Sequence, residues 1–208
     1  MADDAKLAYK FLLKISKQKN HKKFHKFLVN SRVISLTSRT HNLSIDLFLI
    51  KTIISQQVST KAAKSIWLKT YKYIKSTNSF SEDQLREQGL SRPKASYIFD
   101  ILQNKELQSL SANRILEMKE SEIDNFFLKI RGVGPWTLCS LKMFYLCSAD
   151  VFISGDLAIN KACKSFFADA TSSVKEYAPY RTYLCLYLWA SLNPVSYTHL
   201  RAHETQSD

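Results

Sequence analysis

The 208 residues include 45% hydrophobic and 12% aromatic side chains, a globular rather than disordered composition with enough apolar mass for a packed core. Only four glycines and four prolines argue against a turn-rich β fold and for helices joined by short connections. Thirty basic against 18 acidic residues leave a net charge of +12, which suggests an acidic polymer as partner, although a Lys-rich codon bias would produce the same balance. The four cysteines, Cys139, Cys147, Cys163 and Cys185, form no CxxC pair and no signal peptide is visible. Reduced thiols in an intracellular, cytoplasmic setting are therefore expected, and no stretch is long and apolar enough to span a membrane.

In chain order, Leu7, Phe11, Leu12 and Ile15, then Phe24, Phe27 and Leu28, recur at spacings of three and four, predicting amphipathic helices with Lys-rich outer faces. Leu49, Ile53 and Ile54 mark a helix over 45–58, and a second is expected over 60–74. Ser81-Glu-Asp-Gln84 is a capping box flanked by Phe80 and Leu85 as a hydrophobic staple, and Gly89 ends that short helix in a left-handed cap. Pro93 suits the first turn of the next helix, and Ser111 starts a further short one with Leu110 and Ile115 as its staple pair. A helix over 122–130 runs into a Gly-Val-Gly turn, and Pro135 opens another that continues to about residue 147. Residues 150–153 read as an extended connection, Asp156 precedes a helix over 157–167, and a last apolar helix covers 180–192. Residues 195–208 are polar and aperiodic, look like a translated sequencing adaptor, and are expected to be a non-native or disordered tail. His199 and His203 within it have the i, i+4 spacing of a metal pair, but no third ligand is evident and no metal site is expected.

The strongest local signal is Lys129-Ile-Arg-Gly-Val-Gly-Pro-Trp-Thr137. Two helices joined by Gly-x-Gly form a hairpin whose backbone N–H groups point outward. Glycine there permits positive φ angles and the close approach of a phosphate, and the helix opened by Pro135 adds its positive end. An ordinary helical corner would look the same. Two of the four glycines lie in this hairpin, however, and a third, Gly155, immediately precedes Asp156, which suggests demanding backbone geometry in both loops.

Gly132-Val-Gly-Pro-Trp-Thr137 followed by Asp150-Val-Phe-Ile-Ser-Gly-Asp156 resembles the helix-hairpin-helix DNA glycosylase superfamily, most closely its 3-methyladenine DNA glycosylase II branch. Further matching stretches are Ile54-Ser-Gln-Gln-Val-Ser-Thr-Lys-Ala-Ala63, Gly89-Leu-Ser-Arg-Pro-Lys-Ala95, and Pro179-Tyr-Arg-Thr-Tyr183 leading to Trp189. The resemblance implies an all-α fold of two helical subdomains with the active-site cleft between them. Residues 45–144 would form the central subdomain carrying the hairpin; 1–44 and 145–194 would together form the other.

It also implies roles. Asp156 matches the catalytic aspartate, whose anion stabilises the oxocarbenium-like sugar as the base departs and orients a water. A plain helix cap is the competing reading of the same residue. Trp136 stands where bifunctional relatives have a Schiff-base lysine, so a monofunctional hydrolase without lyase activity is expected; Lys129 and Lys142 do not substitute for that lysine. Trp189 matches a position that stacks on an electron-poor base. Ser140 stands where a close relative has a pocket tyrosine, which leaves the base spectrum open. Gln57, with Gln56 beside it, matches the wedge that fills the gap left by a flipped base. Gly132, Val133, Gly134, Thr137 and Lys94 are implied as DNA contacts.

The partner implied is duplex DNA with damaged bases, bound by a monomer associated with the nucleoid. No cofactor is expected, since an iron–sulfur glycosylase needs clustered thiolates that this chain does not have. The function expected is excision of alkylated purines such as 3-methyladenine in base excision repair. A glycosylase for other damaged bases and a non-catalytic helix-hairpin-helix DNA-binding module are the alternatives.

Overall fold

A computed structural model describes residues 4–36 and 43–192. The tail, with His199 and His203, lies outside the described residues. Among the described residues there are thirteen α-helices and no strand, and no helix is long and apolar enough to cross a membrane. The chain divides into two compact units, one of Met1–Thr37 with Cys147–Asp208 and the other of Ser38–Leu146.

In the continuous unit, α3 (Ile45–Ser55) buries Ile45, Leu47, Phe48, Leu49, Ile50, Ile53 and Ile54 and keeps a narrow polar edge of Lys51, Thr52 and Ser55. A helix with so wide an apolar surface must be largely enclosed, and α4 (Thr60–Ser76), α6 (Arg92–Gln103), α7 (Lys105–Ser109) and α10 (Pro135–Phe144) pack round it. Each of its large side chains contributes about 1.5–3 kcal/mol by leaving water. The remaining helices, α5 (Glu82–Glu87), α8 (Ala112–Leu116) and α9 (Glu120–Phe127), are short and begin where their caps dictate. The Ser81 hydroxyl accepts from Gln84 N–H at 3.3 Å and that of Ser111 from Arg114 N–H at 3.2 Å. The capping box at Ser81 is only half formed, because Gln84 Oε1 accepts from the Ser81 and Tyr73 hydroxyls instead of the Ser81 backbone.

Several expected bounds shift. The helix before the hairpin is Glu120–Phe127, two residues earlier at its start and three shorter at its end than 122–130, since the backbone turns at Leu128. The helix opened by Pro135 ends at Phe144, and Cys147 has a positive φ of 53° that no α-helix accommodates. The five-residue α7 starts with its own cap, Asn104 Oδ1 accepting from Leu107 N–H at 2.9 Å.

In the discontinuous unit, α1 (Ala5–Gln18) packs on α2 (Lys22–Val29) and α13 (Arg181–Leu192), and α11 (Leu157–Phe166) packs on α13. The short α12 (Ala170–Lys175) lies between α11 and α13 in the chain. Residues Thr182 to Leu188 of α13 are buried without interruption, so this helix is the unit's axis. Phe24 of α2 meets Phe166, Phe167 and Tyr177 with ring centroids 5.3–5.7 Å apart, one pair tilted and two edge-on. Cys163 and Cys185 fill small apolar gaps on α11 and α13, 2% and 0% exposed.

A polar clasp fixes the strand-like segment 150–153 to the start of α13. Arg181 Nε and Nη2 donate to the two Asp150 carboxylate oxygens at 2.7 and 2.8 Å. Thr182 Oγ1 accepts from Val151 N–H at 2.9 Å and donates to the Ser148 carbonyl at 2.7 Å. Burial raises the Asp150 carboxyl, but the hydrogen bonds from Arg181 outweigh it and hold the group below the usual carboxylate range. This clasp sets where the chain arrives at Gly155 and Asp156.

Candidate functional site

The hairpin residues are held from three directions. Gly132 has φ +85°, a left-handed conformation, and a Cβ there would sit 2.7 Å from the Tyr97 ring. Gly134 is different: its φ of −97° is ordinary extended backbone, it caps α10, and nothing lies within 4 Å of where its Cβ would be. Gly132 is glycine for internal packing, whereas the space over Gly134 is open to an outside guest. Gly155 likewise has neither a positive φ nor a near neighbour, so the expectation of demanding backbone geometry in that loop is not met.

The N–H groups of Gly132 and Gly134 find no acceptor among the described residues, while Val133 N–H donates to the Ile130 carbonyl at 3.0 Å. Helix geometry leaves the first N–H groups of α10 pointing the same way, so the turn presents donors and the positive end of a helix dipole to an anion. Val133 was expected on DNA; its side chain is instead 5% exposed and part of the core. The Thr137 side chain is enclosed as well. It is 1% exposed, and its hydroxyl accepts from Gln56 Nε2 at 2.9 Å.

Gln56 thus points into the hairpin: Nε2 also reaches the Gly132 carbonyl at 3.3 Å, riveting the end of α3 to the turn. Gln57, the next residue, is exposed with φ +56°. Lys94, expected on phosphate, turns inward, its ammonium donating to the carbonyls of Ile54 and Gln56. Burial lowers its pKa. A cation on the last carbonyls of α3 complements that helix's negative end and props the turn that presents Gln57. Ser140 was expected to line a base pocket; it is 4% exposed, and its hydroxyl back-bonds to the Trp136 carbonyl at 3.0 Å. Trp136 itself is half-buried in the first turn of α10.

Two lysines near this motif are accounted for. Lys142 lies with 11% of its side chain exposed between Glu120, at 2.9 Å, and Asp124. Burial opposes its charge, but the hydrogen bonds and charges of both carboxylates prevail and raise its pKa. A protonated, doubly bridged amine is no nucleophile. Lys129 is exposed, beside a hollow of about 410 Å³ lined by Asp100, Asn104, Phe126 and Arg131 among others.

In the other unit, Asp156 is the N-cap of α11, its Oδ1 accepting from Ile159 N–H at 2.9 Å. The same oxygen accepts from the indole Nε1 of Trp189 at 3.1 Å. Two donors on one oxygen fix the carboxylate plane, and the residue is only half-buried, so the group is aimed and also accessible. Trp189 thus meets Asp156 through the edge of its ring, a contact that the expected stacking role did not include. Neither the sequence pattern nor the motif indicated Leu157. It directly follows Asp156 and is 86% exposed, the most exposed large apolar side chain among the described residues. It falls off the Ile159, Ala162, Cys163 stripe of α11, and that misfit with helical periodicity was a readable signal.

With the capped aspartate, the open glycine hairpin and the all-helical fold described, the family is plain: residues 50–181 match the HhH-GPD superfamily of base excision DNA repair proteins, and the chain belongs to it. Particular relatives narrow the comparison. The Bacillus subtilis (strain 168) protein YfjP, named as a DNA-3-methyladenine glycosylase, is 33% identical over 116 residues, 52% of this chain; the chain spans only 40% of that protein's length. The alkylbase DNA glycosidase-like protein mag2 of Schizosaccharomyces pombe is 28% identical over 161 residues, covering 68% of this chain and 75% of the relative. Among solved structures, a DNA-3-methyladenine glycosidase from Bacillus halodurans superposes with a TM-score of 0.68 at 24% identity, over 88% of this chain and 89% of the other. The 3-methyladenine DNA glycosylase Mag1 of S. pombe, in complex with abasic DNA, gives 0.69 at 22%, over 88% and 95%.

Proposed function

We propose that this protein is a monofunctional glycosylase that hydrolyses the N-glycosidic bond of alkylated purines, 3-methyladenine in type, in duplex DNA. The observation that carries the proposal is the Asp156 carboxylate, held by the Ile159 N–H and the Trp189 indole N–H in a chain that also bears the open Gly132–Gly134 hairpin. The names of the relatives support the lesion class.

An alkylated purine carries positive charge and leaves as a neutral base, so its departure needs no strong general acid. As the C1′–N bond breaks, positive charge passes to the sugar, and the Asp156 anion stabilises it. Water adds to C1′, its surplus proton leaves to the carboxylate or to solvent, and the products are the free base and an abasic site. The hairpin amides hold a phosphate of the strand, and Gln57, on its left-handed backbone, fills the space vacated by the flipped base. Trp136 in place of a Schiff-base lysine, together with Lys142 locked between two carboxylates, supports a water nucleophile and no strand cleavage. The protein acts as a monomer inside the cell, with the nucleoid as its location.

The test is base release from duplexes each carrying one defined lesion. Asp156→Asn should keep lesion binding while single-turnover release falls by on the order of 10²–10³-fold. Borohydride should trap no covalent adduct. Undiminished release by the variant would overturn the catalytic role of Asp156, and no release from any lesion by the wild type would favour the non-catalytic DNA-binding reading.

A further inference from the structure

Charge in the continuous unit is segregated by helix. Its acidic residues lie from α5 to α9, with Asp46 alone in the first turn of α3. The 17-residue α4 has five lysines and no acid. At 100° per residue, Lys61, Lys64, Leu68, Lys72 and Lys75 fall within an arc of about 80°. All five are exposed, and Leu68 is 57% accessible at the centre of the stripe. The opposite face, Ala63, Ile66, Trp67, Thr70 and Ile74, packs against the unit, so the lysine face is fixed outward.

A run of lysines is usually a solvated face. Two observations set this one apart. On α4 itself no carboxylate is present to neutralise the stripe: none of Lys61, Lys64, Lys72 and Lys75 forms an ion pair among the described residues, and Lys75 alone has a ring beneath it, its ammonium 5.7 Å from the Tyr71 centroid. The stripe also starts at the hairpin: Gln56 is bonded to Gly132 and Thr137, and Ser59, three residues on, caps α4. Three residues of chain reach at most about 10 Å, so the start of α4 lies within that distance of the Gln56 backbone that adjoins the hairpin.

We propose that the outer face of α4 is a track for duplex DNA beyond the lesion, its four stripe lysines lying along the phosphates of one flank. The inference rests on the glycosylase reading for the DNA but on nothing in the chemistry at Asp156. From Lys61 to Lys75 the helix rises about 21 Å, which matches roughly six phosphate steps along one strand. Cations without a carboxylate partner at that spacing gain by displacing condensed counterions, a contact that is independent of sequence and therefore suited to scanning undamaged DNA.

The experiment compares the wild type, the quadruple variant Lys61→Gln, Lys64→Gln, Lys72→Gln, Lys75→Gln, the corresponding quadruple Lys→Arg variant, and a matched set on α1 (Lys6→Gln, Lys10→Gln, Lys14→Gln, Lys17→Gln). Affinity for a 30-base-pair undamaged duplex is measured against salt concentration, with thermal melting as the fold control. Loss of four phosphate contacts should reduce the slope of log K against log salt by about 3–4. The arginine variant should keep the slope, and the α1 set should reduce it by less than one. Release of base from a saturating short lesion duplex should change less than twofold. An unchanged slope in the α4 variant, an equal loss from the α1 set, or a loss seen only with double-stranded RNA or anionic vesicles would overturn the proposal. If the wild type releases no base yet the slope still falls as expected, the track stands and the glycosylase reading fails.

Discussion

Trp189 and Asp156 pose the sharpest question at the scale of single residues, because the indole can act through its face or through its edge. A phenylalanine keeps a stacking face and removes the donor. Trp189→Phe is expected to lower kcat about tenfold, since a lost hydrogen bond to a charged group is worth about 1.5–3 kcal/mol and part of the ordering survives through Ile159 N–H. KM should change little, a split that a pure stacking role would reverse. Asp150 offers a pH test. Its folded pKa is depressed, so the stability it contributes is present above the unfolded value of about 3.8 and is lost as pH falls through the lower, folded value. The melting-temperature gap between wild type and Asp150→Asn should therefore be widest near neutrality and narrow on acidification toward pH 3. A gap that widens in acid would contradict the Arg181 clasp.

Among helices and turns, the two hairpin glycines separate folding from binding. Gly132→Ala forces a Cβ into the Tyr97 ring on a left-handed backbone, and should cost about 1–3 kcal/mol of stability. Gly134→Ala meets no protein atom, so melting should move little while affinity for undamaged duplex drops severalfold, the methyl occupying the phosphate's approach. Equal effects of the two variants on both measurements would refute this division of labour. Elements were readable in the sequence wherever a local signal started them. Ser81, Ser111, Pro135 and Asp156 each stand at the first turn or cap of a helix, because a cap depends on neighbours three residues away. The five-residue α7 and six-residue α12 show no periodicity, being shorter than two turns. Side-chain direction was least readable. Lys94, Thr137, Val133 and Ser140 belong to a motif associated with DNA, yet all four turn inward, since what packs against a helix is decided by residues 40 or more positions away, such as Ile54 for Lys94 and Gln56 for Thr137.

For the molecule as a whole, the all-helical class followed from scarce glycine and proline and from apolar spacings, all of which are cumulative along the chain. The net charge of +12 indicated an anionic partner but not where it lies. The folded units show which cations are neutralised locally, as Lys19 is by Glu176 and Arg131 by Asp100, and that the lysines of the α4 face have no carboxylate partner among the described residues.

The burial of the thiols has a consequence of its own for a protein proposed to act on alkylated DNA. Cys163 is 2% exposed and burial pushes its thiol up to about 11, and Cys139 is raised in the same way. At neutral pH burial keeps Cys163 in the thiol form, and the thiolate is the species that attacks an electrophile. Iodoacetamide at neutral pH should leave Cys163 unmodified in the native protein and label it on denaturation, as read by peptide mass. Under the proposed function, electrophiles that methylate purines meet little reactive sulfur at Cys163, and the packing of the helix that begins at Asp156 is not opened to them there.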